Sequence, residues 1–99
     1  MNKPVIVGYS RSPFTLAKKG ELINVRPEDL LSEVIKNLVI KSKINPEDIE
    51  DIIAGCAFPE GEQGFNIGKI VTFMTGMNVK TAGMTVNRWC GSSMQSIHI

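Results

Sequence analysis

With 99 residues, 42% of them hydrophobic and 21% charged, the sequence has the composition of one globular domain with a modest core. Eleven basic and ten acidic side chains leave a net charge of +1, so there is no basic surplus to neutralise phosphates, which argues against nucleic acid as the main partner. Two cysteines do not form a disulfide framework, and no apolar run approaches the roughly 18 residues that span a bilayer. The opening apolar run stops after Val7, too short for a secretory signal. A soluble protein of the reducing cytoplasm is expected.

Residues 5–9 are apolar and β-branched and are closed by Ser10-Arg11-Ser12-Pro13, which predicts a buried strand running into a loop. Lys18-Lys19-Gly20-Glu21 reads as a polar loop tip. From Pro27 the period changes. Leu30, Leu31, Val34, Ile35, Leu38 and Val39 share one face of a 3.6-residue helix. Pro27 suits the first helical position, Glu28 and Asp29 the positive dipole end, and Lys41 and Lys43 the negative end. Asn45-Pro46-Glu47-Asp48 repeats the start signal for a brief helix. The continuous apolar run 52–58 predicts a strand buried on both faces, ended by Pro59. Ile67, Ile70, Val71 and Met74 return to helical spacing, with Gly76 as a stop. Residues 84–87 predict a third strand and 92–99 another helix. Strands alternating with helices predict an α/β layer with a mixed, mostly parallel sheet. The last residues put Met94 and Ile97 on a helix with no C-terminal cap, so the sequence is expected to break off within the helix that follows Cys90.

The stretch "TVNRWCGSSMQ" places Cys90 where a strand turns into a helix. At a helix start, unpaired N–H groups and the positive dipole end favour a thiolate over a thiol whose free pKa is about 8.5. Gly91 lets a substrate approach the backbone, and Ser92 and Ser93 are small enough to leave room. A buried structural cysteine is the competing reading, and spacing alone leaves both open. Cys56, inside an apolar run, reads as inert packing. His98, the only histidine, lies about two helical turns, or roughly 12 Å, beyond Cys90, too far to partner the thiol. Glu28-Asp29 and Glu47-Asp48 diverge on helices and read as structural.

"TVNRWCGSSMQSIHI" resembles the active-site segment of the thiolases, in which Val-Asn-Arg and an apolar residue precede the reactive cysteine. "EQGFNIGK" (62–69) is similar to the loop and helix that precede it in that family, and "SRSPF" (10–14) to the segment after the first strand. The segments stand in family order over essentially the whole chain, and the wording is most similar to degradative 3-ketoacyl-CoA thiolases. The resemblance implies a thiolase-like fold, with this chain as the N-terminal part of the first of two α/β halves. It implies thiolytic cleavage of a 3-ketoacyl-CoA by CoA, or the reverse condensation, with Cys90 as the acylated nucleophile and the Cys90 N–H helping to hold an oxyanion. Coenzyme A is then a substrate, with no resident cofactor or metal. The implied assembly is a homodimer or homotetramer, with the alpha subunit of a fatty-acid oxidation complex as a further partner. Trp89 either shapes the acyl pocket or packs in the core.

Two departures stand out. Gly68-Lys69 occupies the place of a frequent Ala-Arg, and lysine does not reproduce a forked arginine hydrogen bond. The Gly-His-Pro and Cys-x-Gly motifs that supply the family's base and second acid/base are not among these residues. Two other readings compete: a ketoacyl-synthase-type condensing enzyme, whose cysteine follows Asp-x-Ala rather than Asn87-Arg88-Trp89, and a short non-catalytic assembly piece.

Overall fold

The computed structural model describes residues 2–99. After an extended N-terminal segment come a 3-10 turn (Glu21–Asn24), α1 (Pro27–Ser42), a second 3-10 turn (Pro46–Asp48), β1 (Asp51–Gly55), a third (Gly61–Gln63), α2 (Ile67–Met74), β2 (Ala82–Val86) and α3 (Ser92–His98).

The helix signals translate directly into structure. Pro27 opens α1, Glu28 and Asp29 sit in its first turn and Lys41 in its last, and Lys43 closes it at φ 56° with its N–H donating to the Ile40 carbonyl. The Asn45 side chain accepts the Glu47 N–H at 3.2 Å, and the helix it starts lasts three residues, as its brevity in sequence suggests.

β1 and β2 pair in parallel, from Asp51 opposite Ala82 to Gly55 opposite Val86. Alternation along the strands sends Ile52, Ala54, Gly83 and Thr85 towards α2, and Ile53, Gly55, Met84 and Val86 towards α3. The core lies on the α2 side. Cys56, Ile67 and Val71 are buried there, with Leu31 and Ile35 of α1 and Ile52 and Ala54 of β1 packed against them. The layers run α1 with α2, then the sheet, then α3.

Asn66 ties α2 to β2. Its Oδ1 accepts the Lys69 N–H (3.2 Å) as the helix cap and also the Thr85 hydroxyl (2.9 Å), while its Nδ2 donates to the Gly83 carbonyl (2.7 Å). The helix lies so close to the strand that a Cβ on Gly68 would fall onto the Met84 backbone. Lys69 is anchored at its ammonium. Its ammonium donates to the Thr81 carbonyl at 2.5 Å and the Val79 carbonyl at 3.4 Å, and stands 4.8 Å from the centre of the Phe73 ring.

Two expectations need correction. Residues 5–9 are not a buried strand, because neither β1 nor β2 pairs with them and Val5, Ile6, Val7 and Tyr9 remain exposed. A β-branched run sets a backbone preference, but a strand also needs a ladder partner. The apolar run 52–58 supplies strand only to Gly55. The Cys56 N–H still donates to the Val86 carbonyl (3.0 Å), and the chain then leaves the sheet, exposing Phe58.

Candidate active site

Beyond Val86 the chain makes a tight turn before α3, in which the N–H groups of Arg88, Trp89 and Gly91 are all engaged. The Asn87 side chain accepts the Trp89 N–H at 2.9 Å, and the Gly91 N–H closes the turn onto the Arg88 carbonyl at 2.9 Å. The Trp89 carbonyl is taken twice by Ser92, by its N–H at 3.2 Å and its hydroxyl at 2.6 Å. The same hydroxyl accepts the Arg88 N–H at 2.9 Å. Trp89 adopts φ 49°, a left-handed conformation that a bulky L residue rarely takes. Arg88 then reaches along α3 to donate from Nη1 to Gln95 Oε1 at 2.9 Å.

Cys90 stands at the apex of this turn, exposed and unpaired in any disulfide. Among the described residues no acceptor takes its N–H. An exposed thiol beside a free backbone donor is the arrangement that attack on a carbonyl requires, since the oxygen that gains charge can be met by that donor.

The end of β1 supports the turn from behind. Gly55 faces the first residues of α3, and a Cβ there would collide with the backbone of Ser92 and Ser93. Phe58, on the loop after β1, meets Trp89 edge to face, with ring centroids 5.5 Å apart and planes at 69°. The two cysteines therefore continue neighbouring strands and diverge. Cys56 goes into the core at 8% exposure and Cys90 out to solvent. His98 is the last residue of α3 and is exposed, at the end of the helix away from Cys90.

The sequence singles out Cys90, which the structure places exposed in the turn between β2 and α3. It misses Ser92 and Gly55, which fix the turn, and Asn66, which caps α2 and ties it to β2. Asn66 carries a legible signal, an asparagine directly before an apolar helix. Ser92 and Gly55 carry none, since small residues near a cysteine read equally as room for a substrate.

The sequence pattern described as "Thiolase, N-terminal domain" matches residues 4–99. The chain is 43% identical to the 3-ketoacyl-CoA thiolase of Colwellia psychrerythraea and 42% identical to that of Photobacterium profundum. Each match covers 99% of this chain and 26% of the relative, so the chain spans about a quarter of the length of these proteins. Among solved structures, the acetyl-CoA acetyltransferase of Syntrophomonas wolfei superposes with a TM-score of 0.82 at 24% identity, over 95% of this chain and 23% of the other. That of Bacillus anthracis gives 0.77 at 24% identity, over 90% and 22%. The backbone is thus thiolase-like, and with the domain pattern running through the strands, the capped helix and the cysteine turn alike, the chain belongs to the thiolase family.

Proposed function

We propose that the protein carrying this chain is an acetyl-CoA C-acyltransferase of fatty-acid β-oxidation, cleaving 3-ketoacyl-CoA with CoA through an acyl thioester on Cys90. The observation that supports this is the exposed Cys90 in a turn where the N–H groups of Arg88, Trp89 and Gly91 have acceptors and, among the described residues, its own has none. Relatives named 3-ketoacyl-CoA thiolase, matched along the whole chain, support the substrate class.

In the proposed reaction the Cys90 thiolate adds to the C3 carbonyl, and the oxygen takes the electron pair beside the Cys90 N–H. The C2–C3 bond then breaks, and its electron pair leaves on C2, which takes up a proton and departs as acetyl-CoA. The thiolate of a second CoA attacks the acyl thioester, and the Cys90 sulfur leaves with its electron pair. Each half is easier than direct thiolysis of the ketone. Coenzyme A takes part as substrate rather than as a resident group. A cytoplasmic homodimer or homotetramer, joined by the alpha subunit of a fatty-acid oxidation complex, is the setting we propose.

The test is to mix the intact protein with a 3-ketoacyl-CoA in the absence of CoA, quench in acid and map peptides by mass. The acyl group should sit on Cys90, and Cys90→Ser should lower turnover on the order of 10³-fold or more. Turnover that survives Cys90→Ser, or an acyl group carried by another residue, would refute the assignment.

A further inference from the structure

We propose that Ser92 is a positioning residue for the reacting thiol, its buried hydroxyl clasping the turn that presents Cys90. The proposal rests on the reading of Cys90 as nucleophile. Ser92 is 3% exposed, and its hydroxyl works in both directions, accepting the Arg88 N–H and donating to the Trp89 carbonyl. These two groups flank the peptide unit whose rotation decides where Cys90 points. Of the four non-glycine residues at positive φ, Lys18, Lys43, Phe65 and Trp89, only Trp89 directly precedes a cysteine. Its carbonyl is held by both the side chain and the backbone of Ser92.

The clasp works against a fixed support. Gly55 at the end of β1 brings the first turn of α3 into backbone contact with the sheet, so the helix start cannot retreat to relax the turn. Without the hydroxyl, the Arg88 N–H loses its acceptor and the Trp89 carbonyl keeps only the longer bond from the Ser92 N–H. Trp89 is then free to return to an ordinary negative φ, which swings the Cys90 thiol and N–H away from their common target. Misplacement of a reacting group by about 1 Å can cost on the order of 10²-fold in rate, with little effect on substrate held elsewhere.

The experiment compares Ser92→Ala, Ser92→Thr and Cys90→Ser in the intact protein. Thermal midpoint, kcat, KM and the rate of acyl transfer to the cysteine are measured for each. For Ser92→Ala, kcat and the acylation rate should fall about 10- to 100-fold while KM stays within about twofold and the thermal midpoint stays near the parent's. Ser92→Thr, which keeps the hydroxyl, should recover most of the loss. Unchanged kcat in Ser92→Ala, a parallel change in kcat and KM, or a threonine variant no better than alanine would overturn the proposal. So would global unfolding of Ser92→Ala, because the role argued is confined to the turn. Cys90→Ser separates the two claims: if it abolishes acylation, the nucleophile reading stands whatever Ser92 does, and if it retains turnover, both fall.

Discussion

Iodoacetamide offered to the folded intact protein is expected to alkylate Cys90 and spare Cys56. Cys90 is exposed at a turn, whereas Cys56 packs with Ile67 and Val71 and becomes accessible only when the core opens. The difference should be on the order of 10²-fold or more in rate, read by peptide mapping, and preferential labelling of Cys56 would sink the assignment. At this scale the candidate nucleophile was legible, because a strand-to-helix changeover and the family wording both converge on Cys90. The residues that shape its turn were not. Ser92 matters through two hydrogen bonds that exist only once the backbone has turned, and Trp89 occupies a φ that sequence rules would reserve for glycine or asparagine.

Helices α1 and α2 are each anchored by a polar group at the start, and each anchor makes a separate prediction. Asn66→Ala removes the cap of α2 together with two ties to β2, and should cost about 2 kcal/mol in chemical denaturation of the intact protein. A variant as stable as the parent would show that the ties contribute nothing net. At α1, the Glu28 carboxylate is held below the usual carboxylate range. Its own backbone N–H is the largest cause, burial opposes, and the Arg26 guanidinium 2.5 Å away adds to the lowering. A lowered folded pKa gives stability that is present above the unfolded value of about 4.3 and is lost as pH falls through the folded one. Glu28→Gln should therefore flatten the acid limb of the stability profile, and an unchanged limb would contradict this origin. The two helices were legible because 3.6-residue periodicity is local to the sequence. Residues 5–9 were misread because pairing depends on a partner that a strand-like composition does not specify.

The 99-residue chain on its own has a surface of 7767 Å², against roughly 5,600 Å² for a closed monomer of its mass. The excess, about 2,200 Å² on one chain, is well above the roughly 800 Å² per partner that a standard protein interface covers. It includes Val5, Ile6, Val7, Tyr9, Phe14 and Phe65 among its exposed apolar side chains. The isolated chain should therefore associate at micromolar concentration in sedimentation velocity, and a sharp monomer with cooperative thermal unfolding would contradict this. It should also show no thiolase turnover with acetoacetyl-CoA and CoA. His98 at the far end of α3 cannot serve Cys90, and the proposed reaction needs a base and a second acid/base, whose lack costs on the order of 10⁴-fold or more. Robust activity that disappears in Cys90→Ser would show those groups to be dispensable. The alternating α/β order was legible across the chain, whereas the layering of α3 behind the sheet follows from Gly55, whose role only the packed structure reveals. The edge-to-face contact of Phe58 with Trp89 has an optical consequence. Trp89 is the sole tryptophan of these 99 residues and directly precedes Cys90, so tryptophan-selective excitation reads the surroundings of that thiol, and under the proposed acyl thioester the colour and intensity of the emission should shift on acylation.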